Sequence, residues 1–270
     1  MKNKFFIYLF IIILFNQNLL FADIFNIESS EIKILEKGNI TQATNGVKIL
    51  SNDGIEIKAK DLIYDKQKSI LKIFGNVLIN DKKNNIISEG EEYIYFKNEE
   101  KILSISKSKS NLKNIYFLEG DDLIYKRNLS EVYSDKKTKI EDSNNNTFFT
   151  EKFNFNLDTG LLKAKNLSLF DNKKNQYYLS FALVNLKNNK FLGSDISIDF
   201  DNTLFGNEKN EPRLKGKSLI SEENDTTIYK GSFTTCNQKD NKCPPWSIYA
   251  EEVIHKKKEQ KIEYKNAWLK

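Results

Sequence analysis

The side chains in this sequence that could make or break covalent bonds are few. His255 is the only histidine of 270 residues, and Cys236 and Cys243 are the only cysteines. One imidazole and two thiols cannot close a four-ligand zinc site without carboxylates. No GxGxxG or other phosphate-binding loop is present. The acidic pairs Asp121-Asp122 and Glu251-Glu252 are adjacent in strand-like segments, which aims their carboxylates at opposite faces. They read as solvated or turn residues rather than a general acid–base pair. His255 decorates a strand or contacts Glu252, and Trp246 and Trp268 fit interfacial aromatics or buried packing equally well. The inventory predicts no enzyme, no cofactor and no metal.

Charge narrows the classes further. The net charge of +5 is finely mixed along the chain, and no segment joins lysines with aromatics as a nucleic-acid groove does. Lys256-Lys257-Lys258 sits beside Glu259 and reads as a solvated turn. At the start, Lys2 and Lys4 precede an apolar run from Phe5 to Phe15, then Asn16-Gln17-Asn18 and Leu20-Phe21-Ala22. That is the layout of a secretory signal peptide over residues 1–22, cleaved after Ala22. The apolar run is too short for a spanning helix. Export implies an oxidising compartment, where two cysteines favour a disulfide.

The elements that must position these residues are strands. Phe153, Phe155 and Leu157 alternate with polar residues, as do Ile196, Ile198 and Phe200. Period-two alternation places each set on one face of a strand. Apolar residues on both faces, as in Tyr93-Ile94-Tyr95-Phe96 and Tyr177 to Leu186, predict strands covered on both sides. Turn clusters fall at Asn52-Asp53-Gly54, Asn80 to Asn85, Ser143 to Thr147 and Asp171 to Asn175. The segments ending at Tyr64, Tyr95, Tyr125 and Phe155 align with one another, a period of 30 or 31 residues. Stacked units of this size, each unable to close its own core, predict an elongated all-β fold. An ordinary β-sandwich is the alternative.

At these residues the chain resembles the OstA/LptA-type domain of lipopolysaccharide transport. Ala59-Lys60-Asp61-Leu62-Ile63-Tyr64 through Phe74-Gly75-Asn76-Val77 fits that family's unit of acidic–apolar–Tyr, turn, apolar strand and Gly-Asn-Val. Residues 231–270 carry Gly231 to Cys236, Cys243-Pro244-Pro245-Trp246, Ala250, Ile254-His255 and Asn266-Ala267-Trp268-Leu269. This order resembles the junction at which the periplasmic part of the LptD family passes into an outer-membrane barrel. The likeness covers residues 23–270. It departs from the family in two ways: the barrel that should follow Lys270 is missing, and residues 23–235 lack cysteine.

The resemblance implies a twisted, open β-jellyroll over 23–230 and a junction over 231–270. It implies a periplasmic and outer-membrane location, and work without bond chemistry. Burying acyl chain is worth about 0.8 kcal/mol per CH₂, so a lipid conduit needs a continuous apolar trough. Phe153, Phe155, Leu157, Ile196, Ile198 and Phe200 are the expected lining, against the simpler reading that they form a closed core. The implied partners are lipopolysaccharide, an LptA-like bridge protein joining by edge-strand pairing, and, where a barrel is present, an outer-membrane lipoprotein of the LptE kind. No nucleic acid is expected. Cys236 and Cys243 either bridge locally or, as the family implies, pair with barrel residues. A free-standing LptA-like bridge and an exported structural β-repeat protein are the competing functions.

Overall fold

The computed structural model describes residues 25–188, 190–205, 210–236, 246–256, 258–259 and 261–270. The signal-peptide expectation over residues 1–22 lies outside the described residues, as does Cys243. The fold is all-β. The first strands are β1 (Phe25–Leu35), β2 (Ile40–Ser51), β3 (Ile55–Ala59), β4 (Asp61–Asp65), β5 (Ile70–Asp81), β6 (Ile86–Phe96) and β7 (Lys101–Leu112). Then come β8 (Tyr116–Asp121), β9 (Ile124–Lys126), β10 (Glu131–Ser134), β11 (Thr138–Asp142), β12 (Thr147–Thr150), β13 (Lys152–Asn156) and β14 (Leu161–Phe170). The last are β15 (Gln176–Asn185), β16 (Lys190–Asp199), β17 (Arg213–Ser221), β18 (Asp225–Thr234), β19 (Ile248–Lys256) and β20 (Lys261–Leu269). Among the described residues no helix is long and apolar enough to cross a membrane, which says nothing of a barrel.

The register shows that some of these are halves of one strand. The early residues of β2 pair with β4 and its later ones with β3, and β5 pairs with both in the same divided way. β8 with β9, β10 with β11, and β12 with β13 are split alike. Sixteen bent strands result, running up and down in chain order as one antiparallel sheet folded along the line of bends. Left-handed residues mark that line at Asn45, Asn76, Ser106, Asp122, Asn166, Asp195, Lys230 and Asn266. A left-handed backbone costs an ordinary residue roughly 1–2 kcal/mol, so Asn is the commonest non-Gly choice here. At Gly75 (φ 76°) a Cβ would also lie 2.8 Å from that of Lys60, so a side chain is excluded twice.

The bend explains the period seen in the sequence. One 30-residue unit is a hairpin of two bent strands. Tyr64, Tyr95, Tyr125 and Phe155 are its buried residues just before turns whose left-handed positions are Ser69, Glu100, Ser130 and Gly160. Successive turns are joined by backbone hydrogen bonds: Lys97 N–H to Ser69 O, Arg127 N–H to Glu100 O, Leu157 N–H to Ser130 O and Leu186 N–H to Gly160 O, at 2.8–3.0 Å. These turns end one arm of the folded sheet. Turns at Gly54, Asn85, Asn114, Asn145 and Lys174 end the other.

The bend also shifts the inside/outside parity by one residue. In β15, Leu179 faces in before Ser180, and Ala182 and Val184 face in after it. In the sequence pattern, apolar residues then fall at both odd and even positions. The expectation that Tyr177 to Leu186 is covered on both sides is therefore corrected: Tyr178 and Phe181 face outward, 37% and 44% exposed.

The inner faces of both arms form one apolar cluster from Phe25 to Val253. Phe25, on the arm of the Gly54 turn, meets Tyr64 and Tyr95 of the opposite arm edge-on at 5.3 and 5.9 Å. Along the fold line the inner residues are small. Between β7 and β12 they are hydroxylic: Ser104, Ser108, Ser134, Thr138 and Thr150, all buried. Their oxygens serve backbone groups that the broken ladder leaves over. Ser104 Oγ accepts from Leu123 N–H (2.9 Å), and Thr150 Oγ1 donates towards Lys152 and Lys165 carbonyls (2.8 and 2.9 Å). From β14 onward the corresponding residues are Ala164, Ala182, Gly193, Gly216, Gly231 and Ala250.

Candidate functional site

The most concentrated set of charges lies inside the fold. Arg127, in the turn after β9, is 6% exposed, and Asp81 at the end of β5 is 1% exposed. Arg127 Nε donates to Asp81 Oδ2 at 2.8 Å, and its Nη1 donates to Asp53 at 2.7 Å and to Glu100 at 3.0 Å. Lys97 bridges Asp53 and Glu100. Tyr125 donates its hydroxyl to Asp81 at 3.2 Å, and Asn84 holds the same carboxylate at 2.8 Å. Asp53 and Asp81 end one arm of the sheet, while Lys97, Glu100 and Arg127 end the other. The cluster thus ties the tips of the two arms together. Farther along, Lys113 meets Asp158 at 3.2 Å, and Tyr116 meets Phe155 edge-on at 4.9 Å, also arm to arm.

Electrostatics lock this arrangement. Burial pushes the Asp53 carboxyl up, but hydrogen bonds from Lys97, Ser51 and Arg127 outweigh it and hold the group well below the usual carboxylate range. Burial also raises Asp81, and Arg127 with Asn84 reverses the effect. Burial opposes the Arg127 charge, yet Asp81 and Asp53 leave it more firmly protonated than in water. Desolvation, reinforced by Asp81, pushes the Tyr125 phenol up, so it stays a donor.

Nothing in the sequence patterns picked out this cluster. Asp53 and Asp81 fall in turn clusters, and their partner is 74 and 46 residues away. One signal was available. Only two of the 42 basic residues are arginine, Arg127 and Arg213. In a lysine-rich chain an arginine marks a place where a planar, multi-donor fork is needed.

The six expected lining residues all reach the inner face. Phe153, Phe155, Leu157, Ile196 and Ile198 are buried in the shared core, while Phe200 packs against it half-buried. Phe155 registers with Val132 and Leu162, and Ile198 with Tyr177 and Leu214. They fall in two groups. The β13 set lies where the arms are tied, and the β16 set lies beyond it.

The reactive residues do not converge. His255 is exposed on β19, in register with Thr226 and Ile262. Asp122 sits at a bend (φ 51°) rather than within a strand, capping Ser106 N–H at 3.3 Å. Glu252 pairs with Lys265, and Glu251 accepts from Asn266. The Cys236 thiol is half-buried, 3.9 Å from the Trp246 carbonyl oxygen. Its proposed local partner, Cys243, lies outside the described residues. Trp246 packs half-buried on the core, whereas Trp268 is 55% exposed and stacks on Tyr249. No cluster of three or more potential metal ligands occurs among the described residues.

No family model matches the chain, and no curated protein matches it. Among solved structures it is similar to LptH of Pseudomonas aeruginosa, the LptA-homologous periplasmic component of the lipopolysaccharide transport device. That alignment has 14% identity and a TM-score of 0.35, over 38% of this chain and 75% of LptH. A likeness of this size assigns neither family nor function.

The two sheet edges complete the site. Among the described residues β1 pairs with β2 alone and β20 with β19 alone. Each therefore leaves a row of backbone donors and acceptors unpaired on its outer side. Ile32, Ile34 and Leu35 on β1, and Trp268 and Leu269 on β20, are exposed apolar residues there.

Proposed function

We propose that this chain is the periplasmic, N-terminal part of an LptD-like outer-membrane assembly protein, and that it conducts lipopolysaccharide without chemistry. The observation that carries this reading is the apolar core shared along the bent strands from Phe25 to Val253, between two edges that are unpaired among the described residues. Such a face shields acyl chains as they slide, and each CH₂ kept from water is worth about 0.8 kcal/mol. The motif order over residues 231–270 supports the LptD-like reading over a free-standing bridge. Under it, an LptA-like partner adds its strand to the β1 edge by β-augmentation. Lipid then passes towards β20 and a barrel beyond it, where an LptE-like lipoprotein joins. The protein works in the periplasm at the outer membrane.

A photo-crosslinking amino acid at Ile198 tests this. It should capture lipopolysaccharide in cells, while the same group at Ser197, the next residue on the outer face, should not. Equal capture at both sites would defeat the trough and leave an exported structural β-repeat protein.

A further inference from the structure

We infer that the Arg127 cluster is a clasp that keeps the first part of the interior shut, so that an acyl chain enters only beyond it, along the inner face of strands β14 to β20. The inference rests on the lipid-conduit reading for its ligand, but the clasp itself stands on geometry.

Three observations lead to it. The first is where the arms are tied. Arg127, Lys97 and Lys113 of one arm tip or the other meet Asp53, Asp81 and Asp158 across the mouth of the fold, all within residues 53–158. To part the arms there, the Asp81 carboxylate must lose its guanidinium partner while still surrounded by protein. The second is how the interior is filled. The largest fully buried side chains, including Tyr93, Tyr95, Phe153 and Phe155, all lie between Ile49 and Phe155. An acyl chain entering there must displace side chains that are already fully buried.

The third is the change after β13. Leu169, Tyr177, Phe191, Phe200, Trp246 and Tyr264 lie against the core yet remain half-exposed. The fold line beneath them carries Ala and Gly in place of Ser and Thr. This segment therefore offers an apolar floor along the fold line and walls that still meet solvent. A flexible alkyl chain matches that surface, since it needs contact area and no hydrogen-bond partner. Lipid moving between the β1 edge and this segment must open the clasp, which makes the cluster a gate in the conduit.

The test uses the full chain with purified lipopolysaccharide as the probe. A photo-crosslinking residue is placed at Tyr116, half-buried in the clasped segment, or at Phe200. Labelling at Phe200 should exceed that at Tyr116 at least tenfold. Arg127→Met should raise labelling at Tyr116 several-fold and speed amide hydrogen exchange at residues 53–54, 97–100 and 127–130 at least tenfold. Arg127→Lys, which keeps the charge, should stay nearer the unaltered protein. If Arg127→Met does not fold, Glu100→Gln at the exposed side of the cluster should give the same changes at smaller size. Equal labelling of the two positions in the unaltered protein would overturn the clasp. So would unchanged exchange at the tips of a folded variant. Absence of labelling at every position would overturn the lipid reading, and the exchange measurement would still decide the clasp.

Discussion

The strands β1 to β13 and the strands β14 to β20 are built from the same bent hairpin but hold themselves together differently. The first part closes on itself. Aromatic rings from both arms interlock, charges tie the tips, and between β7 and β12 hydroxyls serve the backbone where strands break. The second part keeps the strand pattern with smaller residues at the fold line, and several of its inner rings stay half-exposed. One repeat can thus yield a sealed core or an accessible wall, depending on what fills the inner positions of each unit.

The sharpest way to break this comparison is to remove Arg127. Arg127→Met leaves Asp81 buried and unpaired, which costs about 3–5 kcal/mol. In a domain of this size that lowers Tm by about 10 °C. The same substitution at Arg213, whose visible partner Glu211 is 3.3 Å away and 45% exposed, should shift Tm far less. A calorimetric difference of under about 2 °C between the two variants would show that the tips are not tied by this cluster.

Core deletion sharpens the contrast one step down. Phe155 is wholly buried and braced by Tyr116, so Phe155→Ala should cost about 3–5 kcal/mol. Phe200 is half-buried, and Phe200→Ala should cost less than half of that. Urea unfolding measures both. Equal losses would mean that the two parts are packed alike.

Acid supplies a graded probe of the clasp. The folded Asp53 and Asp81 carboxyls are held below their ordinary values. Their contribution is therefore fully present above the unfolded pKa of about 3.9 and is lost as pH falls through the lowered folded values. Tm should be insensitive to these groups between pH 8 and 5 and fall below pH 4. Arg127→Met removes a main partner, so its acid branch should be shallower. Parallel acid branches would show that other carboxylates govern the loss.

How far the sequence revealed these differences depends on the distance over which each signal acts. The strands, the turns at Asp53, Asn85 and Asn145, and the ring positions Tyr64, Tyr95, Tyr125 and Phe155 follow from local alternation and spacing. The bends do not, because a single left-handed residue such as Asn166 or Asp195 shifts the parity without breaking the apolar pattern. The matching shift at Ser180, opposite Asn166 and Asp195 in the neighbouring strands, made Tyr177 to Leu186 look covered on both sides. The clasp was hidden for a different reason. Asp53 and Asp81 have the residue type that turns prefer anyway, and only folding the sheet along its bend brings them to Arg127.

The smallest effect concerns the fold line, where the two parts differ by hydroxyls. Ser104 is 1% exposed, and its oxygen is the acceptor for Leu123 N–H at a point where the strand is split between β8 and β9. Ser104→Ala removes that acceptor and leaves a buried N–H orphaned, at a cost of about 1–3 kcal/mol. The converse change belongs in the second part. Ala182 is fully buried in register with Ala164 and Gly193, so Ala182→Ser brings a hydroxyl into an apolar floor. Its burial without a good partner costs about 1–3 kcal/mol on mutational scales, and the serine can recover part of this by bonding to a nearby carbonyl. The reciprocal pair is diagnostic because a general intolerance of substitution cannot produce it. If the fold line has one chemistry throughout, Ala182→Ser should be neutral in urea unfolding. If it changes at β14, each part should reject the residue that the other requires.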